Sequence, residues 1–125
     1  NDCPAENMTW HEAAAYCNWR SEQAGRAQCY TIKKSQDIET DRSASGYRLP
    51  VEAEWEFVAR NRGADRQFPW PRSRGDTDTH PANYRQRETA QGDGWQWTCP
   101  VKAFPPNELG IYGLGGNVWE WCEDW

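Results

Sequence analysis

The sequence predicts a small α+β domain: two helices, brief extended pieces and many ordered loops. Three observations lead there. Two stretches carry a helical period with recognisable ends, residues 9 to 24 and residues 46 to 63. Between residues 67 and 106 no helical period holds, and Pro, Gly, Asp and Asn recur. The apolar inventory is made of rings, with nine Trp and five Tyr beside few Leu, Ile or Val. A buried indole removes a large area from water, so such a chain builds its core from a few big side chains linked by loops.

The first helix reads TWHEAAAYCNWRSEQA. Thr9 and Glu12 form a capping box, in which the Thr oxygen takes an orphan amide and the Glu reaches back to the cap. Trp10, Ala13, Ala14, Cys17 and Ala24 share a stripe, and Gly25 supplies a stop. Residues 26 to 45 are polar and read as a surface insertion. GYRLPVEAEWEFVARNRG then gives a strand-like lead-in and a second helix starting near Pro50. Its apolar residues Ala53, Trp55, Phe57 and Val58 fall on mixed faces, which predicts burial on two sides. Glu52, Glu56 and Arg60 are spaced i, i+4 with the acids N-terminal, a helix-stabilising ladder and not a catalytic pair.

The formal charge is −5, with Lys and Arg scattered. There is no basic stripe with interleaved aromatics, so nucleic-acid binding is not expected. No apolar run is long enough to span a membrane. The five cysteines are Cys3, Cys17, Cys29, Cys99 and Cys122. No CxxC occurs, and His11 and His80 stand apart from the cysteines, which argues against zinc and for disulfides in an oxidising, extracytoplasmic compartment. The count is odd, so one thiol is left over or pairs outside the chain. Cys3 and Cys99 each precede a Pro and flank core segments, leaving a bridge between them open. Cys122 has no nearby His or spaced second cysteine and reads as structural. Long irregular loops need a staple, and a hard cation held by oxygens of Asn83, Asp93 and Glu120 is the alternative to a disulfide. The first and last segments, NDCPAENMTW and GGNVWEWCEDW, are core-like, which predicts a domain over residues 1–125 that is incomplete at both ends.

NMTWHEAAAYCNW, GYRLPVEAEWEFVAR, FPWP, PANY and CPVKAFPPNELGIYGLGGNVWEWCEDW follow in one order at compatible spacings. Together they resemble the formylglycine-generating enzyme, or sulfatase-modifying factor, family. The resemblance implies a variant of the C-type lectin-like fold, two helices on small antiparallel sheets with many ordered loops. It implies a family activity, the copper- and oxygen-dependent oxidation of a sulfatase cysteine to formylglycine. The copper-binding cysteine pair belongs to a later stretch, so no catalytic residue is nominated here. It also implies relatives without that pair, in which the scaffold binds a protein or peptide ligand: retroelement variable proteins, surface lipoproteins and kinase-appended domains. An iron-dependent sulfoxide synthase would need histidines from a separate helical domain.

The resemblance further implies calcium. Its first site matches Asn83, Tyr84, Asp93 and Trp95, two side chains and two backbone carbonyls. Its second matches Gly116, Val118 and Glu120, but the remaining position is Gly113, which has no side-chain oxygen, so that site is expected to be weakened, emptied or completed by water. Cys17 falls where some relatives place a cysteine that pairs near the domain's C-terminal end. Cys29 falls where some bacterial relatives have CY, but the second cysteine expected before GYRLP is absent. Val51 replaces the usual Thr at the second helix's cap, a loss of about 1 kcal/mol unless another group supplies the bond. Pro71 replaces a common Gly and stiffens its turn.

Overall fold

The computed structural model describes residues 2–35, 37–66, 68–70, 82–83 and 94–124. The element order is α1 (Trp10–Gln23), β1 (Tyr30–Ile32), β2 (Ile38–Thr40) and α2 (Glu52–Ala59). The chain divides into two compact units, one of Asn7–Glu52 with Trp121–Trp125, the other of Asn1–Glu6 with Ala53–Glu120. The first is called the helical unit below and the second the loop unit.

In the helical unit α1 starts where the sequence places it. The Glu12 amide donates to Thr9 Oγ1 at 3.2 Å, and the Thr9 amide donates to Glu12 Oε2 at 2.7 Å, so the capping box is complete. The helix stops with Gly25 at φ +63. Its buried face is Ala13, Ala14, Asn18 and Ser21, with Trp10 and Cys17 partly buried. Ala24, expected on the stripe, is exposed and serves as the C-cap. Asn18 and Ser21 are buried because each has backbone partners: Asn18 on Tyr30, Ser21 on the Cys17 carbonyl and the Tyr47 amide.

Residues 26–45 are more than the expected surface insertion. They form the antiparallel hairpin β1–β2, with Tyr30 opposite Thr40 and Ile32 opposite Ile38. Cys29 and Tyr30, both 2 % exposed, join Ala14 as the centre of this unit's core, and Trp10 meets Tyr30 edge-on at 5.8 Å. The tail is stitched in by both backbone and side chains. Trp10 Nε1 donates to the Cys122 carbonyl at 2.8 Å and Trp121 Nε1 to the Met8 carbonyl at 3.0 Å. The Glu123 amide donates to the Pro50 carbonyl at 2.8 Å. The cap that Val51 cannot provide comes from this tail: the Glu52 amide donates to Asp124 Oδ1 at 2.7 Å, which also places a carboxylate at a helix N-terminus.

The loop unit carries the rest of α2. Only Ala59 of that helix is buried, and Phe57 is exposed, so the expected burial on two sides is not found. The Glu56–Arg60 rung of the ladder is present at 3.4 Å. Past the helix, Asn61, Arg62 and Gly63 take positive φ in succession, turning the chain away. Asparagine amides then do what strands do elsewhere. Asn61 donates to the Pro69 carbonyl and accepts from the Glu108 amide, both at 3.1 Å. Asn107 donates to the Val58 carbonyl at 2.9 Å and accepts from the Leu109 and Ile111 amides at 3.0 Å. Phe68 stacks on Trp70 with ring centroids 5.3 Å apart.

Candidate functional site

Among the described residues of the loop unit, a dense polar arrangement is built on Asn117 of the GGNVWEW segment. Its Oδ1 accepts from the Cys99 amide at 2.9 Å, and its Nδ2 donates to the Cys99 carbonyl at 3.0 Å. One side chain thus pairs with both backbone groups of a buried residue, as a neighbouring strand would. Its own amide donates to the Asn83 carbonyl at 2.6 Å. Asn83 in turn donates from Nδ2 to the Trp97 carbonyl at 2.7 Å. Asn117 sits at φ +73, a conformation asparagine tolerates better than most residues. Gly116 is required beside it, because a Cβ there would lie 2.3 Å from the Asn83 carbonyl oxygen. Segments 82–83, 97–99 and 116–117 are therefore locked together without a strand.

This lock includes residues of both sites that the resemblance implies for calcium. For the first, Asn83 is 9 % exposed with its amide nitrogen engaged, so its carboxamide oxygen is the end a hard cation would take. Trp95 is half-exposed on the adjoining segment. Tyr84 and Asp93 lie outside the described residues. For the second, Glu120 Oε2 accepts from Trp55 Nε1, which holds the carboxylate. Glu120 Oε1 lies 3.9 Å from where a Cβ of Gly113 would stand. The position the sequence marks as deficient is thus beside the one carboxylate of the set. The Gly116 carbonyl accepts from the Val118 amide at 3.0 Å and retains a second lone pair. One carboxylate, nearby backbone carbonyls and water are a donor set that fits calcium in kind, with fewer protein ligands than a tight site uses.

A cleft of about 40 Å³ lies beside the lock, lined by Trp70, Asn83, Cys99, Phe104, Ile111 and Asn117 among others. It has room for about three waters and is too small for a drug-sized ligand. On the same unit Trp97 is 78 % exposed and Trp119 is fully exposed. The five cysteines are all present as thiols, so neither the general expectation of disulfides nor a Cys3–Cys99 bridge is seen, although the Val101 amide donates to the Asp2 carbonyl at 2.8 Å and joins the segments that carry them. The sequence reading missed Asn61, Asn107 and Asn117 as organisers. Their signal was present: asparagines next to Gly or in loop runs, where αL backbone and side-chain-to-backbone bonding are favoured.

The Sulfatase-modifying factor enzyme 1-like domain family (FGE-sulfatase) matches residues 1–125, the whole chain. The chain belongs to this family. It is 38 % identical to the formylglycine-generating enzyme of Bos taurus, covering 99 % of this chain and 28 % of that protein. It is 34 % identical to the inactive C-alpha-formylglycine-generating enzyme 2 of Bos taurus, covering 94 % of this chain and 32 % of that protein. Among solved structures, Treponema denticola variable protein 1 superposes with a TM-score of 0.81 at 30 % identity, over 99 % of this chain and 50 % of that one. The chain therefore spans about a third or less of those two curated relatives, and its fold is the α+β FGE-sulfatase fold that the motifs implied. Among the described residues no helix is long and apolar enough to cross a membrane.

Proposed function

We propose that this FGE-sulfatase chain is a calcium-pinned scaffold for a protein or peptide ligand in an extracytoplasmic protein, with no step of the oxidation carried by its own residues. The observation that carries the reading is the combination of locked loops with exposed indoles. Trp97 and Trp119 stand on the segments that Asn117 and its neighbours immobilise. Large, rigid side chains that lose little freedom on binding make good anchors for a partner.

A second reading is favoured by the 38 % identity to the bovine formylglycine-generating enzyme: a parent protein that oxidises a sulfatase cysteine. Copper would supply the oxygen chemistry there, held by a cysteine pair that the resemblance puts after residue 125. The 34 % identity to an inactive relative shows that similarity at this level does not separate the two. The full-length protein, copper(I) and a cysteine-containing sulfatase peptide decide between them. Aldehyde formation seen by mass spectrometry would establish the parent protein as the oxidase and overturn the reading of that protein as a noncatalytic ligand scaffold. Binding of the peptide without turnover, weakened at least about tenfold by Trp97→Ala with Trp119→Ala, supports the scaffold.

Calcium is tested on the same protein by titration calorimetry. Gly113→Asn puts a carboxamide oxygen next to Glu120 Oε1 in a residue type that tolerates the local φ of +82. The expected result is calcium binding tightened by about tenfold or more. Unchanged binding would remove Gly113 and Glu120 from the site.

A further inference from the structure

We propose that Cys17 and Cys29 are partners in an intramolecular disulfide that ties α1 to β1 when the protein meets an oxidising environment. The placement rests on their immediate neighbours. Asn18 clamps Tyr30 with two bonds, Nδ2 donating to the Tyr30 carbonyl at 2.6 Å and Oδ1 accepting from the Tyr30 amide at 3.1 Å. A residue held by both its backbone groups cannot slide along the helix. The clamp therefore fixes the register between α1 and β1, and Cys17 and Cys29 are the residues just before each member of the clamped pair.

Both cysteines are further anchored. The Cys17 carbonyl accepts from Ser21 Oγ and the Cys29 carbonyl from the Asp41 amide, each at 2.8 Å. Cys17 packs directly on the buried cluster of Ala14, Cys29 and Tyr30. Burial, with the neighbouring Cys29 thiol adding to it, holds the Cys17 thiol above its ordinary pKa, as expected for two sulfurs sharing one apolar pocket. The assignment differs from the pairings implied by the family resemblance, which gave Cys17 a partner near the domain's end and Cys29 one before GYRLP.

The two sulfurs differ in access. Cys29 is 2 % exposed, whereas Cys17 is only partly buried. With a low-molecular-weight disulfide such as oxidised glutathione as the oxidant, the Cys17 thiolate attacks one of its sulfurs, forming a mixed disulfide and releasing one thiolate. The Cys29 thiolate then attacks Cys17 Sγ, forming the intramolecular bond and releasing the second. Two protein thiols lose two electrons in all, and their two protons leave with the two glutathione thiols.

The test uses the full-length protein, exposed to oxidised glutathione, alkylated without reduction and digested. The expected result is a species joining the peptides that carry Cys17 and Cys29, two hydrogens short of their summed mass, which dithiothreitol separates. Reduction of the oxidised wild type should lower the thermal midpoint by roughly 10 °C. Cys17→Ser should abolish that reduction-sensitive difference and Cys122→Ser should keep it. Because the first comparison is between two redox forms of one sequence, it needs no variant to fold. Cys17 joined to any other cysteine, either thiol alkylated in the oxidised protein, or oxidation that ends at a mixed disulfide would each overturn the assignment.

Discussion

The helical unit and the loop unit satisfy their backbones in different ways. In the helical unit α1, the β1–β2 hairpin and the caps supply most partners, and one asparagine, Asn18, joins helix to strand. In the loop unit α2 runs only to Ala59, and Asn61, Asn83, Asn107 and Asn117 connect segments distant in sequence. A carboxamide carries one donor side and one acceptor side, so it can stand in for a peptide group of a missing strand. The difference teaches how a chain with few aliphatic residues orders long loops. It also predicts unequal sensitivity to mutation, since each amide in the loop unit replaces several ladder bonds at once.

The largest effect should come from Asn117. Replacement by Ala removes both bonds to Cys99, leaves a buried amide and carbonyl unpaired, and puts Ala at φ +73. A loss of about 3 kcal/mol is expected in urea unfolding. Asn117→Asp keeps the acceptor for the Cys99 amide but, when ionised, sets an oxygen against the Cys99 carbonyl, so its cost should fall to about half that of Ala only in acid, where the carboxyl is protonated and can donate. Equal costs for the two in acid would break the peptide-mimic account. In the helical unit, Asn18→Ala orphans the Tyr30 amide and carbonyl and should cost about 2 kcal/mol, the smaller value reflecting a hairpin that persists without it.

How much of this was legible in the sequence follows the same division. α1, its capping box and its Gly25 stop were readable because local rules govern them: a cap pair three residues apart and a 3.6-residue stripe. The hairpin was not readable, because YTI and IET are short and polar and are ordered by packing of Cys29 and Tyr30. The replacement of Val51's cap by Asp124 was also hidden, since the two are more than 70 positions apart. Of the candidate site, motif order singled out Asn83, Gly116 and Glu120, which the structure describes. The lock around Asn117 was not legible, because a side chain pairing with remote backbone leaves no period to read.

A pH experiment sharpens the contrast by reporting on the helical unit alone. Tyr30 is 2 % exposed, and burial raises its phenol to about 12, opposed by the Leu49 amide and reinforced by the Glu123 carboxylate. The folded value lies above the ordinary 10, so the folded state holds this proton more tightly than the unfolded chain. The stabilisation is fully present below pH 10 and is lost as pH rises from there through the folded value. A decline of about 1–2 kcal/mol by about pH 12 is expected in denaturant midpoints, and Tyr30→Phe should flatten that slope. An unchanged slope in the variant would assign the alkaline loss to other groups.

The smallest effect belongs to the most local device. Thr9→Ala removes one half of the capping box, while Glu12 can still accept from the residue-9 amide, and about 1 kcal/mol should be lost, with Thr9→Ser restoring it. The Thr9 amide and hydroxyl hold the Glu12 carboxyl below its ordinary 4.5. A depressed folded value contributes stability that is present above 4.5 and fades as pH falls through the folded value. The reciprocal half of the box should therefore weaken in acid in the wild type as well. The gap between the thermal melts of wild type and Thr9→Ala should narrow in acid by the share that the Thr9 hydroxyl's 2.8 Å bond to the Glu12 carboxylate supplies, while the deficit of Asn117→Ala, which involves no titrating group, should not move. Parallel pH dependence of the two deficits would mean that the cap and the loop lock are not the separate devices their geometry makes them.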